Sequence, residues 1–146
     1  MKIYIANDHA GYDLKLKLIE KLEGKYDVED LGTNSLESVD FPDYSHKLAS
    51  CVAEKSALGI LICGSGNGVS MAANKHQNIR AALCWNKEIS KLARQHNDAN
   101  ILTLPARFIS VDEAKEIVDE FLNTPFEGGR HQKRVEKINF IIDFLL

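Results

Sequence analysis

A thiol stands at the start of a glycine-rich segment in the middle of the chain. Residues 62–68 read ICGSGNG, so Cys63 ends an apolar run and is followed by three glycines at alternate positions. Such a loop lets backbone N–H groups converge on an anionic oxygen, and the positive end of a helix that we expect to begin near Gly68 adds to the attraction. The same helix end favours a thiolate over a thiol. Cys63 is therefore either a base or nucleophile, or a buried cysteine that ends a strand.

The glycine pattern does not fit the common nucleotide loops. If a GxGxxG motif begins at Gly64, its third glycine position is occupied by Val69. The acidic residue that binds ribose in that fold is also missing, because the next apolar run ends in Trp85 and Asn86. No Gly-Lys-Ser/Thr follows Gly64 at the spacing of a P-loop. We predict no nucleotide cofactor.

Two histidines and two arginines could also take part in catalysis or in substrate binding. His9 follows Asp8 directly, and His96 lies in the polar segment RQHNDAN (94–100). Either imidazole could transfer protons near neutral pH. Arg130 and Arg134 are four residues apart, so on a helix they share a face and could bind the oxygens of a phosphate. No two of the five histidines have the spacing HxxxH, and we predict no metal centre.

Alternating strands and helices must position these groups. Short runs rich in Ile, Val and Leu predict strands at 2–6, 26–32, 58–63, 79–84 and 99–104. Segments of helical period predict helices at 12–22, 44–55, 67–76, 86–96 and 110–122. Strands that are separated by helices form a parallel sheet covered on both faces. We predict one domain over 1–146, a Rossmann-like, doubly wound α/β fold with a five-stranded parallel sheet in three α/β/α layers.

An additional C-terminal helix is predicted after the glycines at 128 and 129. Four apolar residues recur there at helical spacing: Val135, Ile138, Ile142 and Leu145. In open parallel sheets the ligand crevice lies beyond the carboxyl ends of the strands. Polar or reactive groups follow four predicted strands, in the segments 7–9, 32–33 with 40–44, 63–68 and 85–86.

The composition and the apolar pattern of the chain indicate what kind of partner it binds and in which cellular compartment it occurs. The 146 residues include 27% charged and 45% hydrophobic residues with a net charge of −3, so we expect a small-molecule partner and no nucleic acid. The N-terminus lacks a signal-peptide pattern and no apolar run approaches 18 residues, so we expect a cytoplasmic protein without membrane contact. Three cysteines without CxxC spacing argue against disulfides and a thiolate zinc site. We expect Cys51 and Cys84 in the core.

Five segments together resemble the B-type ribose-5-phosphate isomerases, of the family that includes galactose-6-phosphate isomerase subunits. They are NDHAG (7–11), ICGSGNG (62–68), AANK (72–75), RQHNDAN (94–100) and EGGRHQKRV (127–135). The resemblance implies interconversion of ribose 5-phosphate and ribulose 5-phosphate, a step of the non-oxidative pentose phosphate pathway. It also implies catalysis without cofactor or metal, in a homodimer with sites between subunits. A tetramer is an open alternative.

The resemblance also implies roles for single residues. Cys63 matches the base that moves a proton between C1 and C2, His96 matches the acid/base that opens the furanose ring, and Asp8 matches an assisting carboxylate. Ser65 matches a hydroxyl that contacts the reacting centre. The remaining matches are substrate-binding positions: His9, Gly64, Gly66, Asn67, Gly68, Asn97, Arg107, Arg130 and Arg134. Some members carry a glutamate base just after the glycine loop, where this chain has Val69.

Four alternatives stay open at this point. The substrate could be a hexose 6-phosphate such as allose 6-phosphate, or the chain could be one subunit of a galactose-6-phosphate isomerase. A module of another class would use the glycine loop to bind nucleotides without catalysis. Finally, Cys63 could be the nucleophile of a hydrolase, which would form a covalent adduct.

Overall fold

The computed structural model describes residues 1–139. The strands are β1 (Lys2–Asn7), β2 (Asp27–Asp30), β3 (Leu58–Cys63), β4 (Ala81–Leu83) and β5 (Ile101–Pro105). The helices are α1 (Tyr12–Leu22), α2 (Phe41–Lys55), α3 (Asn67–Ala73), α4 (Lys87–Asn97), α5 (Val111–Asn123) and α6 (Arg130–Glu136). A single 3₁₀ turn, His9–Gly11, joins β1 to α1.

The sheet is parallel throughout, with strand order β2-β1-β3-β5-β4. From β1 the chain moves outward to β2 and then continues on the other side with β3, so the crevice between β1 and β3 is the topological switch point. Side chains of α1, α4 and α5 pack on one face of the sheet, and those of α2 and α3 pack on the other. The predicted three-layer α/β/α fold is confirmed.

Alternation along the central strands divides the core in two. On β3, Ile60 and Ile62 belong to the core beneath α1 and α5, whereas Leu61 and Cys63 belong to the core beneath α2 and α3. The three aliphatic residues are fully buried, and each such side chain contributes roughly 1.5–3 kcal/mol to stability. The strand thus fixes the thiol at the carboxyl end of the sheet, on the side of α2 and α3.

Apart from α1 and β3, every element up to α5 differs from its predicted bounds by one to three residues at one or both ends. Helix α2 begins at Phe41 rather than at residue 44, because Asp40 precedes it as N-cap and Pro42 fits the first turn. The predicted crevice segment 40–44 is therefore helical from Phe41 onward. Helix α3 ends at Ala73 rather than at residue 76, and β4 has three residues instead of six.

Strand β4 is an edge strand whose first residue is protected by a side chain. The Ala81 N–H donates to Asn74 Oδ1 (2.8 Å), and Asn74 Nδ2 donates to the Ala81 carbonyl (3.0 Å). The amide thus takes the place that a neighbouring strand would occupy, which blocks edge-to-edge pairing at that residue. This role accounts for the asparagine of the segment 72–75.

The additional C-terminal helix is confirmed as α6 over Arg130–Glu136. Of its predicted apolar face, Val135 is buried and Ile138, beyond the end of the helix, is half exposed. Ile142 and Leu145 lie outside the described residues. Within residues 1–139, no helix has the length and apolarity needed to cross a membrane.

Candidate active site

The candidate site lies where β1, β3 and β5 end side by side. The Asp8 N–H donates to the Ile62 carbonyl (3.1 Å), and the Arg107 N–H donates to the Gly64 carbonyl (3.0 Å). These bonds hold the loops after the three strands around a cavity of about 430 Å³. Its lining comprises Asp8, Phe41, Cys63, Gly64, Ser65, Gly68, Arg107 and Phe108. The crevice predicted beyond the strand ends thus exists, and four of the residues that line it come from the glycine loop.

Cys63 is 6% exposed and forms part of this cavity wall. Its Sγ accepts a hydrogen bond from the Gly66 N–H at 3.2 Å. An N–H donor directed at sulfur stabilises negative charge on it, as a thiolate base requires. Cys63 therefore belongs to the core and also lines the cavity. The sequence left open whether it is a reactive thiol or a buried cysteine at the end of a strand, and its position is compatible with both.

Two positions of the loop must be glycine. Gly66 has φ of 78°, and a Cβ there would lie 2.4 Å from Leu83 Cδ1. A Cβ on Gly68 would lie 2.5 Å from the Phe41 ring. Both contacts are shorter than atoms can approach, so the loop keeps its path only with glycine. The path brings Gly66 against Cys63 and starts α3 at Asn67.

Ser65 and Asn67 form the exposed rim of the loop. Ser65 Oγ accepts from the Asn67 N–H (3.3 Å) and from Asn67 Nδ2 (3.2 Å), which leaves the hydroxyl proton available for donation. Val69, which follows the loop directly after Gly68, is fully buried in the core beneath α2 and α3. Val69 therefore contributes to the packing of the core.

Asp8 has a structural task besides any chemical one. Its Oδ1 accepts from the N–H groups of Ala10 (2.9 Å) and Gly11 (3.3 Å), and so caps the 3₁₀ turn. The residue also lines the cavity, where the other carboxylate oxygen remains for a ligand. Next to it, His9 Nδ1 accepts from the Val39 N–H (3.2 Å), so Nε2 of the neutral ring carries the proton and can donate to an anionic oxygen.

A fully buried lysine, which the sequence analysis did not identify, anchors the loop that supports Asp8. Lys15 Nζ donates to Asp30 Oδ1 (3.0 Å), to Asn34 Oδ1 (2.9 Å) and to the Thr33 carbonyl. Thr33 in turn donates from its N–H to the carbonyl of Asn7 (2.9 Å), the residue before Asp8. Because the ammonium group is satisfied on three sides, its burial is tolerated.

Two polar residues of the predicted crevice segments occupy the N-cap positions of helices instead, and only Asn86 does so with a side-chain hydrogen bond. Asn86 Oδ1 accepts from the Ile89 N–H (2.9 Å) at the start of α4, and Asp40 is the N-cap residue of α2. Neither residue lines the cavity beside Cys63. Their positions after strand ends are explained by helix initiation.

A second group of predicted residues surrounds the C-terminal end of α4. His96 and Asn97 are the last residues of that helix, and α6 packs against it. His96 Nε2 lies 3.5 Å from Glu127 Oε1, and His131 Nε2 lies 3.7 Å from the same oxygen. The two imidazole rings stack with centroids 4.3 Å apart and planes inclined by 12°. The predicted arginines, Arg130 and Arg134, are exposed on α6 beside this stack.

The electrostatics of this cluster favour a neutral His131. Burial, the largest cause, lowers the pKa of His131, and the positive charges possible on His96 and Arg130 lower it further. The carboxylate of Glu127 acts in the opposite direction. A neutral ring can stack on His96 without charge repulsion when His96 is protonated.

The same cluster brings three potential metal ligands within 4.8 Å of one another: His96, Glu127 and His131. A metal ion lies near the plane of each imidazole that binds it, so two nearly parallel stacked rings cannot both bind one ion unless a ring turns. The exposed guanidinium groups of Arg130 and Arg134 add a positive field. The arrangement therefore suits an anion better than a cation.

The two groups of residues lie at opposite ends of the strands. We call the side of the sheet where the strands end its carboxyl edge, and the side where they begin its amino edge. Helix α4 starts after the carboxyl end of β4 and runs back to the amino end of β5, so its 11 residues carry the chain about 16 Å. His96 thus lies at the amino edge, whereas Cys63 ends β3 at the carboxyl edge. Of residues 1–139, those that line the cavity beside Cys63 include none from α4 or α6. Of the four predicted catalytic residues, Cys63, Ser65 and Asp8 line one cavity, whereas His96 is not brought to them within one chain.

The sequence and the fold were compared with those of known proteins. Residues 3–138 match the family model described as Ribose/Galactose Isomerase. The chain belongs to the ribose/galactose isomerase family. The resemblance inferred from the five segments is confirmed, and at the level of this family so is the prediction that the protein is an isomerase.

Relatives of this isomerase match over nearly their whole length. A probable ribose-5-phosphate isomerase B of Mycoplasma pneumoniae is 53% identical, over 93% of this chain and 91% of the relative. The crystal structure of a ribose 5-phosphate isomerase from Thermotoga maritima is 52% identical with a TM-score of 0.93, over 96% of this chain and 98% of the other. A ribose-5-phosphate isomerase B from Mycoplasma genitalium, solved with bound ribulose-5-phosphate, is 48% identical with a TM-score of 0.91, over 94% and 93% of the chains.

Four residues near the two groups of this isomerase were missed by the sequence analysis. Phe41 and Phe108 line the cavity, and no local pattern distinguishes them from other aromatic residues. Glu127 and His131 contact His96. Glu127 lies before α6 and is separated from it by two glycines, so helical spacing did not link it to His131.

The other two cysteines of the isomerase differ in burial. Cys84 is fully buried, as predicted, and burial raises its pKa from an ordinary value of 9.0 to about 12. Cys51 is only partly buried at the margin of the core beneath α2, so its prediction as a core residue holds only in part. The reason is that α2 has one face against the sheet, and Cys51 lies at the border of that face.

The raised pKa of Cys84 predicts a loss of stability in alkaline solution. Above pH 9 the unfolded chain releases the thiol proton while the folded protein keeps it up to about pH 12, so the unfolded state gains stability. Between pH 7 and pH 10 this linkage removes about 1.4 kcal/mol from the free energy of unfolding. Urea unfolding at both pH values should show that additional loss relative to a Cys84→Ala variant. An equal loss in both proteins would contradict the prediction.

Proposed function

We propose that the chain is an aldose–ketose isomerase that interconverts ribose 5-phosphate and ribulose 5-phosphate. The observation that carries the proposal is the Cys63 thiol in the wall of a cavity that also presents Asp8 and Arg107. The choice of substrate is supported by the Mycoplasma genitalium relative, which was solved with bound ribulose-5-phosphate.

The central step moves a proton between C2 and C1 of the open sugar. Cys63, as thiolate, takes the proton from C2 of the aldose and returns it to C1, through a cis-enediolate whose negative charge rests on oxygen. At the enediolate stage the hydroxyl proton on O2 is transferred to O1, so that O2 becomes the carbonyl oxygen of the ketose and O1 its hydroxyl. A positioned base contributes about 100- to 10,000-fold to the rate. Each preorganised donor at the oxyanion contributes roughly 100- to 1000-fold by analogy with oxyanion holes. The backbone of Gly64 to Gly68 and the Ser65 hydroxyl supply these donors.

Ring opening needs a separate acid/base because the sugar rests mainly in closed or hydrated forms. In the furanose, O4 is bonded to C1, so opening requires a proton for O4 and removal of one from the hydroxyl at C1. His96 performs this exchange, because imidazole takes up and releases protons near neutral pH. Asp8 assists through the carboxylate oxygen that is not used in capping.

The phosphate group does not react and serves to hold the substrate. Arg130 and Arg134 are exposed on one face of α6, and arginine forks match phosphate oxygens. His9 donates from Nε2 to the same anion, and Arg107 and Asn97 complete the contacts. Binding energy from this remote group offsets the cost of orienting the open chain.

The proposed active site combines two subunits of a homodimer. The carboxyl edge of one subunit supplies Asp8, His9, Arg107 and the segment 63–68. The amino edge of the partner supplies His96, Asn97, Arg130 and Arg134. The separation of these groups along α4 supports this arrangement, because one chain alone does not bring His96 to Cys63. A two-fold axis then generates two equivalent sites.

A coupled assay on the purified chain tests the function and its substrate. We expect turnover of ribose 5-phosphate by the protein alone, with a higher kcat/KM than for allose 6-phosphate or galactose 6-phosphate. Preference for either hexose phosphate, or activity that appears only with a different partner chain, would contradict the assignment of ribose 5-phosphate. Absence of turnover with all three sugars would contradict the proposed function itself.

A further inference from the structure

Glu127 is placed to control the orientation of the His96 imidazole. Its carboxylate oxygen lies 3.5 Å from His96 Nε2, and its backbone N–H donates to the carbonyl of Gln95 (3.1 Å), the residue before His96. The short segment before α6 is thus attached to α4 beside the histidine, by main chain and side chain together.

His131 completes the support from the other side. Its ring is stacked on that of His96, with centroids 4.3 Å apart, and its own Nε2 lies 3.7 Å from the same Glu127 oxygen. The His96 side chain is 39% exposed, so without these contacts it would be free to adopt other rotamers at the end of the helix. The stack fixes the plane of the ring, and the carboxylate fixes its rotation within that plane.

We propose that Glu127 is a positioning residue for ring opening: together with the stacked ring of His131, its carboxylate holds the His96 imidazole with Nε2 directed at Glu127 and Nδ1 directed at the sugar. The proposal rests on the proposed function, in which His96 exchanges a proton with the closed substrate. When His96 accepts that proton, the adjacent carboxylate stabilises the positive imidazolium, as the aspartate does for the histidine of a serine-protease triad. The proton transfer between C2 and C1 by Cys63 does not depend on Glu127, because the contacts of Glu127 within residues 1–139 are with His96 and its neighbours.

Comparison of a cyclic and an acyclic substrate tests this proposal. Ribose 5-phosphate must be opened before Cys63 can act, whereas 4-deoxyribose 5-phosphate has no O4 and cannot close a furanose ring. It keeps the chain length and the position of the phosphate. We expect Glu127→Gln to lower kcat for ribose 5-phosphate by roughly 10- to 100-fold. Turnover of the 4-deoxy sugar should change less than about threefold, since it needs no ring opening.

Control variants separate positioning from a general structural effect. Glu136→Gln removes another carboxylate of α6, whose partner in the structure is Gln132, and should leave both substrates unaffected. His96→Asn should reproduce the selective loss on ribose 5-phosphate to a larger extent. Cys63→Ala should abolish turnover of both sugars. Erythrose 4-phosphate, whose O4 carries the phosphate, is a second acyclic probe.

The outcomes distinguish this proposal from the proposed function. If the unmodified protein turns over ribose 5-phosphate but Glu127→Gln affects both substrates equally, or neither, the positioning role is wrong and the isomerase function stands. If neither acyclic sugar is turned over, an unchanged kcat of Glu127→Gln on ribose 5-phosphate still excludes the positioning role. If the unmodified protein does not turn over ribose 5-phosphate, the proposed function itself fails.

Discussion

Replacing Cys63 by alanine is expected to lower kcat for ribose 5-phosphate by about 100- to 10,000-fold, the usual contribution of a positioned base. The substrate should still bind, because the phosphate contacts and the glycine loop remain. The variant should also stop exchanging the C2 proton of the sugar with deuterium from the solvent, a readout that follows the base directly. The coupled assay, isothermal titration and NMR of the recovered sugar measure the three effects.

The matched control is Cys51→Ala, which removes a partly buried thiol from α2 and should leave kcat unchanged. Because Cys63 Sγ also accepts the Gly66 N–H, alanine could disturb the loop. Cys63→Ser keeps an acceptor of similar size at that place and should be nearly as inactive. Either Cys63 variant with kcat within tenfold of the unmodified protein would exclude the thiol as the base.

A heterodimer of two inactive variants is expected to recover about half of the unmodified activity, if each site is shared between subunits. In a dimer of Cys63→Ala with His96→Asn, one site contains both substitutions and the other contains neither. The intact site forms because the amino edge of one chain meets the carboxyl edge of its partner. Co-expression with two different affinity tags isolates the heterodimer, and the coupled assay measures its activity.

The control heterodimer combines Cys63→Ala with Cys63→Ser. Neither of its sites contains Cys63, so it should remain as inactive as each parent. Recovery in both heterodimers would point to residual activity in the parents. A heterodimer of Cys63→Ala and His96→Asn that is verified by mass spectrometry but stays inactive would rule out a site that is shared between subunits.

The layers of the fold were predictable because they follow from local patterns. Apolar runs and helical periodicity lead to strands covered by helices on both faces, and the structure has them. The strand order β2-β1-β3-β5-β4 was not predictable, since it depends on which way each crossover moves, and that is decided by contacts between distant segments. The start of α2 at Phe41 was missed, although Pro42 is compatible with the first turn of a helix.

The residues of the candidate site also fall into those that the sequence made recognisable and those that it did not. Cys63 and Gly66 were recognisable because a glycine loop after a strand has few other uses. The structure places Cys63 in the wall of a cavity with Asp8, and the Gly66 N–H donates to the Cys63 sulfur. Lys15 and Glu127 were not recognisable. Each acts through partners that are distant along the chain, Asp30 for the first and His96 for the second. The roles of all these residues in catalysis remain predictions that the experiments above test.

The sequence by itself determined the types of chemical group, the layered α/β fold and, through five short segments, the family. These properties depend on neighbours in the chain, where spacing and residue type act directly. Only the tertiary structure decided where the groups lie relative to one another: the thiol at the carboxyl edge, and His96 at the amino edge with Glu127 and His131 around it. The physical reason is the direction of α4, which runs opposite to the strands and carries the chain from one edge of the sheet to the other.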